Sequence, residues 1–292
     1  LLRLKALSSK SVKVDEIIIL TNESHRFLVL DQLKGIKIKA KIKIILEPCS
    51  LNTAPALTLA AAASPNSTLL VIPSDQYLDN EEAFTSCIQE SIKSIKDQLI
   101  FIFGVKPKSA EDSYGYILYE GSGKVKTVVD FIEKPNLEYA KKIISKKKCF
   151  WNLGIFVLTS ETWMASIKKA NKSIFDNVTN SWEKRTIDNV FVRPRKSYYS
   201  KAISKSIDYA VIEKAMSLGI DIKAIEIKTN WSDIGKHIAL ERLFKKNREQ
   251  NIFQGNVIAQ DAKNTTVLGF DRHISLLGVQ DLIIIDTKDS LL

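Results

Sequence analysis

Short β-branched runs alternate with amphipathic stretches from the start of the chain to about Ile227, and that alternation restricts the fold more than any other feature. Each amphipathic stretch must bury an apolar stripe, and a sheet of neighbouring strands is the surface that fits it. The pattern therefore predicts an α/β fold with largely parallel strands and helices on both faces of the sheet. The expected strands are Glu16–Leu20, Ile42–Leu46, Leu69–Ile72, Leu99–Gly104, Val125–Ile132, Ile155–Leu158 and Asp221–Ile227. The clearest helix spans Glu81–Lys96, where Phe84, Cys87, Ile88, Ser91, Ile92 and Ile95 recur at helical spacing and Asp79 or Asn80 can cap the first turn. Another spans Ser160–Ala170, with Trp163, Ile167 and Ala170 on one face. Both stripes read as core.

Past Lys236 the texture changes. A polar helix over Lys236–Glu249 leads into turn-punctuated strands at Gly255–Ile258, Thr265–Leu268, Ile274–Leu277 and Leu282–Asp286. The expected organisation is an α/β domain over residues 1–250 and a small, truncated all-β appendage over residues 251–292. At the other end Leu1–Leu7 is helix-like, and no Gly-rich turn precedes the first strand. With 11 glycines in 292 residues, the sequence contains neither G-x-G-x-x-G nor G-x-x-x-x-G-K-[ST].

Lys and Arg number 43 against 33 Asp and Glu, a net charge of +10. The excess is lysine spread through segments such as KIKAKIK (Lys37 to Lys43), without an Arg-rich arm, so a nucleic-acid partner is not expected; anionic small substrates would gain from the same field. Three dispersed cysteines, with no C-x-x-C pair, suit a reducing cytosol and give neither a disulfide framework nor a zinc site. No apolar run reaches membrane-spanning length, and the opening LLRLKALSSK does not read as a signal peptide. A soluble, cytoplasmic protein is the expectation.

Several polar groups fall where strands end. In LLVIPSDQYL (Leu69 to Leu78) the apolar run stops at Pro73 and presents Asp75, placed to hold a cation or to shape a turn. Asp233 in NWSDIG follows the last strand of the main domain, and two carboxylates from different strand ends suit one hard cation such as Mg²⁺. Glu47 in LEPCSLNTAPA offers a carboxylate that can accept both the N1–H and the exocyclic amine of guanine; a surface salt bridge is the plainer alternative. Thr53 reads as the cap of the helix that follows. Gly115, between two tyrosines, suggests backbone lying close to a ligand. Glu133 and Lys134 in DFIEKPN suit sugar hydroxyls and a phosphate oxygen, and Asn152 in WNLGIF suits discrimination of a hydroxyl.

These segments, in this order, resemble the sugar-phosphate nucleotidyltransferases, and most closely their bacterial mannose-1-phosphate guanylyltransferase branch. The specific stretches are TNESHRFLVLDQL, LEPCSLNTAPALTLAA, FIEKP with FWNLGIF, SIDYAVIEK, NWSDIG and GVQDLIIIDTKDSLL. The resemblance implies a Rossmann-like nucleotidyltransferase sheet and transfer of GMP from GTP to mannose 1-phosphate, giving GDP-mannose and pyrophosphate with Mg²⁺. It implies Asp75 and Asp233 as catalytic metal ligands, with Gly115, Glu133 and Asn152 at the sugar and Lys134 at its phosphate. Glu47, Asn52 and Thr53 would line the guanine pocket. It leaves a homodimer open. Departures are Gln76 and Leu153, where the family tends to carry histidine and serine, and a start in the helix that in the family follows a strand and a Gly-rich, Arg-containing loop. Impaired turnover by these residues alone is the corresponding expectation, and a non-catalytic GDP-mannose-binding sensor or regulatory protein is the alternative reading.

Overall fold

The computed structural model describes residues 12–34, 39–145, 148–233, 244 and 246–292. Its contacts divide it into two compact units, Leu1–Pro73 with Asn80–Thr229, and Ser74–Asp79 with Asn230–Leu292. In chain order the strands to residue 233 are β1 (Glu16–Asn22), β2 (Lys41–Glu47), β3 (Thr68–Val71), β4 (Gln76–Leu78), β5 (Leu99–Val105) and β6 (Tyr116–Glu120). They continue with β7 (Val125–Ile132), β8 (Cys149–Thr159), β9 (Thr186–Asp188), β10 (Phe191–Arg193), β11 (Asp221–Glu226) and β12 (Trp231–Asp233). The α-helices among the described residues are α1 (Arg26–Lys34), α2 (Thr53–Ala63), α3 (Glu81–Ser94), α4 (Leu137–Ser145), α5 (Ser160–Ala170), α6 (Lys172–Glu183), α7 (Lys196–Tyr199) and α8 (Ile207–Ala210). The expected helix at Leu1–Leu7 lies outside the described residues.

The first unit holds two sheets, ordered β1-β2-β10-β9 and β3-β8-β5-β11-β7-β6. The expectation of a largely parallel sheet holds in the first, where β1, β2 and β10 run parallel. It fails in the second, where β5 and β11 form the parallel pair while β8 runs antiparallel to β3, β5 and β6, and β7 antiparallel to β6 and β11. For β6 and β7 the reason is local: they are joined by a tight turn through Gly121, at φ +93, instead of a helical crossover.

A continuous core joins the layers. Ile45 of β2, Leu57 and Leu59 of α2, Ile100 and Ile102 of β5, Phe150 and Phe156 of β8 and Trp163 of α5 belong to it, all nearly sealed from solvent. Trp163 also donates its Nε1–H to the Thr58 hydroxyl at 3.0 Å, so burying an indole in this core leaves no orphaned donor. Helix starts follow their caps. Asn80 accepts from the Ala83 amide at the head of α3 and Thr159 from Thr162 at the head of α5. At α2 the cap is Asn52, not the expected Thr53: Asn52 takes φ 69 with ψ −174, a backbone region otherwise kept for glycine, and its side chain accepts from Thr53 N at 2.8 Å.

Strand β8 is the main departure from expectation. It begins at Cys149, six residues earlier than the apolar run suggested, and absorbs the whole FWNLGIF segment. Pairing with β5 jumps from Ile102↔Phe156 to Gly104↔Asn152, so β8 carries a bulge at which Gly154 takes φ +63. Beyond the bulge the strands approach closely: a Cβ on Gly104 would lie 2.5 Å from Phe150 Cβ and 2.7 Å from the Trp151 carbonyl oxygen.

In the second unit, β4 and β12 pair antiparallel, and the amide and side chain of Asn230 both donate to Asp79. The remaining strands are β13 (Ile252–Gln254), β14 (Val257–Gln260), β15 (Thr266–Leu268), β16 (Ile274–Leu277) and β17 (Ile283–Ile285). They form two ladders, β13-β15-β17 and β14-β16, parallel throughout. The expected strand Gly255–Ile258 is shifted to β14, Val257–Gln260, because Gly255, at φ +99, turns the chain out of β13, which was not among the expected strands. Most of the expected Lys236–Glu249 helix lies outside the described residues; residues 246–249 are coil and turn, closed by the Asn251 amide on the Asn247 side chain.

The Gly104 contact generates a prediction. Replacing Gly104 by alanine forces β5 away from β8 backbone, so urea denaturation is expected to show a loss of about 1–3 kcal/mol with little change in m. An unchanged midpoint would contradict the close approach.

Candidate functional site

In the first unit, strand ends supply the site's groups. Gly115 stands immediately before β6, and Glu133 and Lys134 immediately after β7. Asn152 lies inside β8, not at a strand end as expected, where the bulge re-aims its side chain. The Asn152 amide donates to the Gly115 carbonyl at 2.8 Å, and a Cβ on Gly115 would come 2.4 Å from Glu133 Oε2 and 3.4 Å from Asn152 Cβ. Glycine at 115 is therefore what lets these three residues share one place.

The Asn152 carboxamide is held at both ends. Its Nδ2 donates to Asp208 Oδ1 at 3.0 Å, and its Oδ1 accepts from the Gly154 amide at 3.0 Å. One N–H and one acceptor lone pair remain for a ligand. Glu133 is nearly sealed, with a side chain 10% exposed, and its Oε1 lies 3.6 Å from Lys134 Nζ, whose side chain is 58% exposed. Burial raises the Glu133 carboxyl to about 7, helped by the negative Asp208 and Glu213 and opposed by Lys134. Burial also raises Asp208, against hydrogen bonds from its own backbone amide and Asn152. The Glu133 amide donates to Glu213 Oε1 at 3.4 Å. Lys134 takes φ 45, a left-handed conformation unusual for lysine, just ahead of Pro135.

The β2–α2 turn carries the other group. Glu47 ends β2, and the alternative of a surface salt bridge is replaced by a half-buried contact: the Tyr199 hydroxyl of α7 donates to Glu47 Oε1 in a short hydrogen bond. Burial raises the Glu47 carboxyl, and burial beside that carboxylate raises the Tyr199 phenol, so the proton stays on the tyrosine. Glu47 Oε2 and a lone pair on Oε1 remain for a donor–donor edge. Asn52 and Thr53 are spent on structure: Asn52 caps α2, and the Thr53 hydroxyl accepts from the Ile207 amide at 2.9 Å. The Ala54 amide donates to the Lys205 carbonyl and the Lys205 amide to the Leu51 carbonyl, so residues 205–208 link this turn to Asn152.

Asp208, Glu213 and Tyr199 carry no local signal of a site in the sequence. The first two lie in SIDYAVIEK, a stretch whose mixed polarity resembles an ordinary short helix, and Tyr199 reads as core.

The two expected metal ligands belong to the second unit. Asp75 is exposed in the bend before β4, and Asp233, expected just past a strand, is the last residue of β12, where it pairs with Gln76. Their backbones thus stand one register position apart. Two carboxylates are hard oxygen donors that leave coordination positions open, the donor chemistry Mg²⁺ takes. Among the described residues no three His, Cys, Asp or Glu side chains form a closed metal cage. No described helix is long and apolar enough to cross a membrane.

Titration of Glu133 is testable. A folded-state pKa near 7, above the ordinary 4.5, means the folded protein holds more protons between those values, so this group's contribution falls as pH rises from 4.5 through 7. Glu133→Gln should gain stability over wild type across that window, by up to about 3 kcal/mol at pH 8, and nothing at pH 4.5. Thermal unfolding of both proteins from pH 4.5 to 8 checks it; a pH-independent difference contradicts it.

Comparison with known proteins matches the sequence profile "Nucleotidyl transferase" to residues 2–250 and "MannoseP isomerase/GMP-like beta-helix domain" to residues 255–292. A curated relative, the xanthan biosynthesis protein XanB of Xanthomonas campestris pv. campestris, is 32% identical over 291 residues, covering 98% of this chain and 61% of that protein. The mannose-1-phosphate guanylyltransferase of Salmonella montevideo is 32% identical over 97% of this chain and 61% of its own length. The chain thus spans about three-fifths of these relatives. A crystal structure described as mannose-1-phosphate geranyltransferase from Thermus thermophilus superposes with a TM-score of 0.80 at 24% identity, covering 99% of this chain and 82% of that one, which shows the shared fold.

Proposed function

The chain belongs to the nucleotidyl transferase family, and on that premise we propose that it transfers GMP from GTP to mannose 1-phosphate, releasing GDP-mannose and pyrophosphate. The observation that carries the reading is the joint presence of a buried carboxyl, a fixed carboxamide and an exposed ammonium around Gly115. A sugar presents vicinal hydroxyls that both donate and accept. Glu133, titrating near neutrality, can take either part toward one hydroxyl, and Asn152 offers one donor and one acceptor to another. Lys134, largely exposed beside them, gives a mobile positive charge for the sugar's phosphate.

Glu47 supplies the base end of the reading. Its carboxylate, braced by Tyr199, keeps two acceptor sites for the adjacent N1–H and amine of guanine, an edge that uracil and thymine lack. Xanthan biosynthesis protein and mannose-1-phosphate guanylyltransferase are the names of relatives sharing about a third of their residues with this chain, which supports a role in making an activated sugar for a polysaccharide. Asp75 and Asp233 would hold Mg²⁺, which when bound neutralises charge on phosphate oxygens. The protein's own groups hold the acceptor: with hydroxyls and phosphate fixed, attack on the nucleotide's α-phosphorus gains by proximity instead of by covalent chemistry.

The assay supplies Mg²⁺ and mannose 1-phosphate with GTP, UTP or dTTP, and follows pyrophosphate release and the sugar nucleotide formed. GTP is expected to be preferred, and preference for UTP or dTTP would overturn the base assignment. Gly115→Ala should raise the KM for mannose 1-phosphate about tenfold or more with an unchanged melting temperature, because the new methyl meets the far end of the Glu133 side chain and not backbone.

A further inference from the structure

Asp208 touches the pocket without belonging to any of the groups given a role above, and its surroundings define what it does. Its carboxylate accepts the Asn152 Nδ2–H at 3.0 Å while the Gly154 amide donates to Asn152 Oδ1 at 3.0 Å. An amide's two ends differ only in which is donor and which acceptor, so a carboxylate on one side and a backbone N–H on the other admit a single orientation of the carboxamide. Asp208 is itself fixed from behind. The Ile207 amide donates to the Thr53 hydroxyl at 2.9 Å, the Lys205 amide and carbonyl pair with Leu51 and Ala54, and Ser206 caps the short helix by accepting from the Tyr209 amide. The negative charge of Asp208 also falls on Glu133.

We propose that Asp208 is a positioning residue of the sugar pocket, holding the Asn152 carboxamide in one orientation so that a fixed donor and acceptor face the sugar ring. The inference rests on the reading of this pocket as the sugar-phosphate site. Without Asp208 only the Gly154 amide holds the carboxamide, which can then swing away or turn over, and a flipped amide offers the sugar a donor where an acceptor is wanted. The isosteric Asp208→Asn keeps an oxygen able to accept from Asn152, so it should rescue what Asp208→Ala loses.

The test measures steady-state kinetics of wild type, Asp208→Ala and Asp208→Asn with each substrate varied in turn. Loss of a hydrogen bond to a charged group predicts an increase of about tenfold or more in KM for mannose 1-phosphate in Asp208→Ala, with KM for GTP within about twofold; Asp208→Asn should stay within about threefold on both. Equal increases for both substrates, or no increase for the sugar phosphate in a folded Asp208→Ala protein, would overturn the role. A second measurement needs neither the variant nor turnover: NMR of the wild-type Asn152 side-chain amide should show one proton protected from solvent exchange and both perturbed by mannose 1-phosphate. A carboxamide exchanging like an exposed one would overturn the proposal even if Asp208→Ala fails to fold. If the wild-type protein neither binds nor consumes any sugar 1-phosphate, the functional reading falls, while protection of the Asn152 amide still decides whether Asp208 orients it.

Discussion

The pocket depends on one short stretch of backbone, residues 205–208, being held from both sides. On one side it hydrogen-bonds the turn that follows β2, through Leu51, Thr53 and Ala54; on the other Asp208 receives the Asn152 amide from β8. These contacts tie the end of β2 in the four-stranded sheet to β8 of the six-stranded one. Glu47 and Asn152 are therefore joined through one hydrogen-bonded backbone segment.

Three carboxyls, Glu47, Glu133 and Asp208, are pushed upward, and in each the leading cause is burial. Burying an acid without a full ionic partner works against stability, so a chain that wanted only a stable core would place leucine or methionine there. Exposed pairs such as Lys34 with Asp31 show the other regime, in which charges stay in water and contribute little. Each buried acid has a polar neighbour that constrains it: Tyr199 for Glu47, Lys134 for Glu133, Asn152 for Asp208. What results is a set of hydrogen-bonding groups preorganised before any ligand arrives, the condition under which positioning and specificity are cheapest to achieve.

Glycine does separate work at three places nearby. Gly104 admits the close passage of β8 past β5, Gly154 turns the bulge, and Gly115 clears the volume that Glu133 occupies. A side chain at Gly104 would meet backbone, whereas one at Gly115 would meet a carboxylate, so the first position serves the sheet and the second the pocket.

The positions of Glu133, Lys134 and Glu47 beside strand ends were legible in the sequence, because a β-branched run and the proline that stops it are local signals; β6, which follows Gly115, was not among the expected strands. Val125–Ile132 and Ser160–Ala170 come out at the expected bounds for the same reason. The direction of β8, its bulge and the partners of Asn152 and Glu47 were not legible. Asp208 is 56 residues from Asn152 and Tyr199 is 152 from Glu47, and hydrophobic period records how deeply a residue is buried but not which distant residue it meets. The sequence by itself determined the family, the ends of strands such as β2 and β7, and the chemical groups presented there. The tertiary structure alone decided their mutual orientation, since a hydrogen bond between residues so far apart exists only once the chain between them has closed.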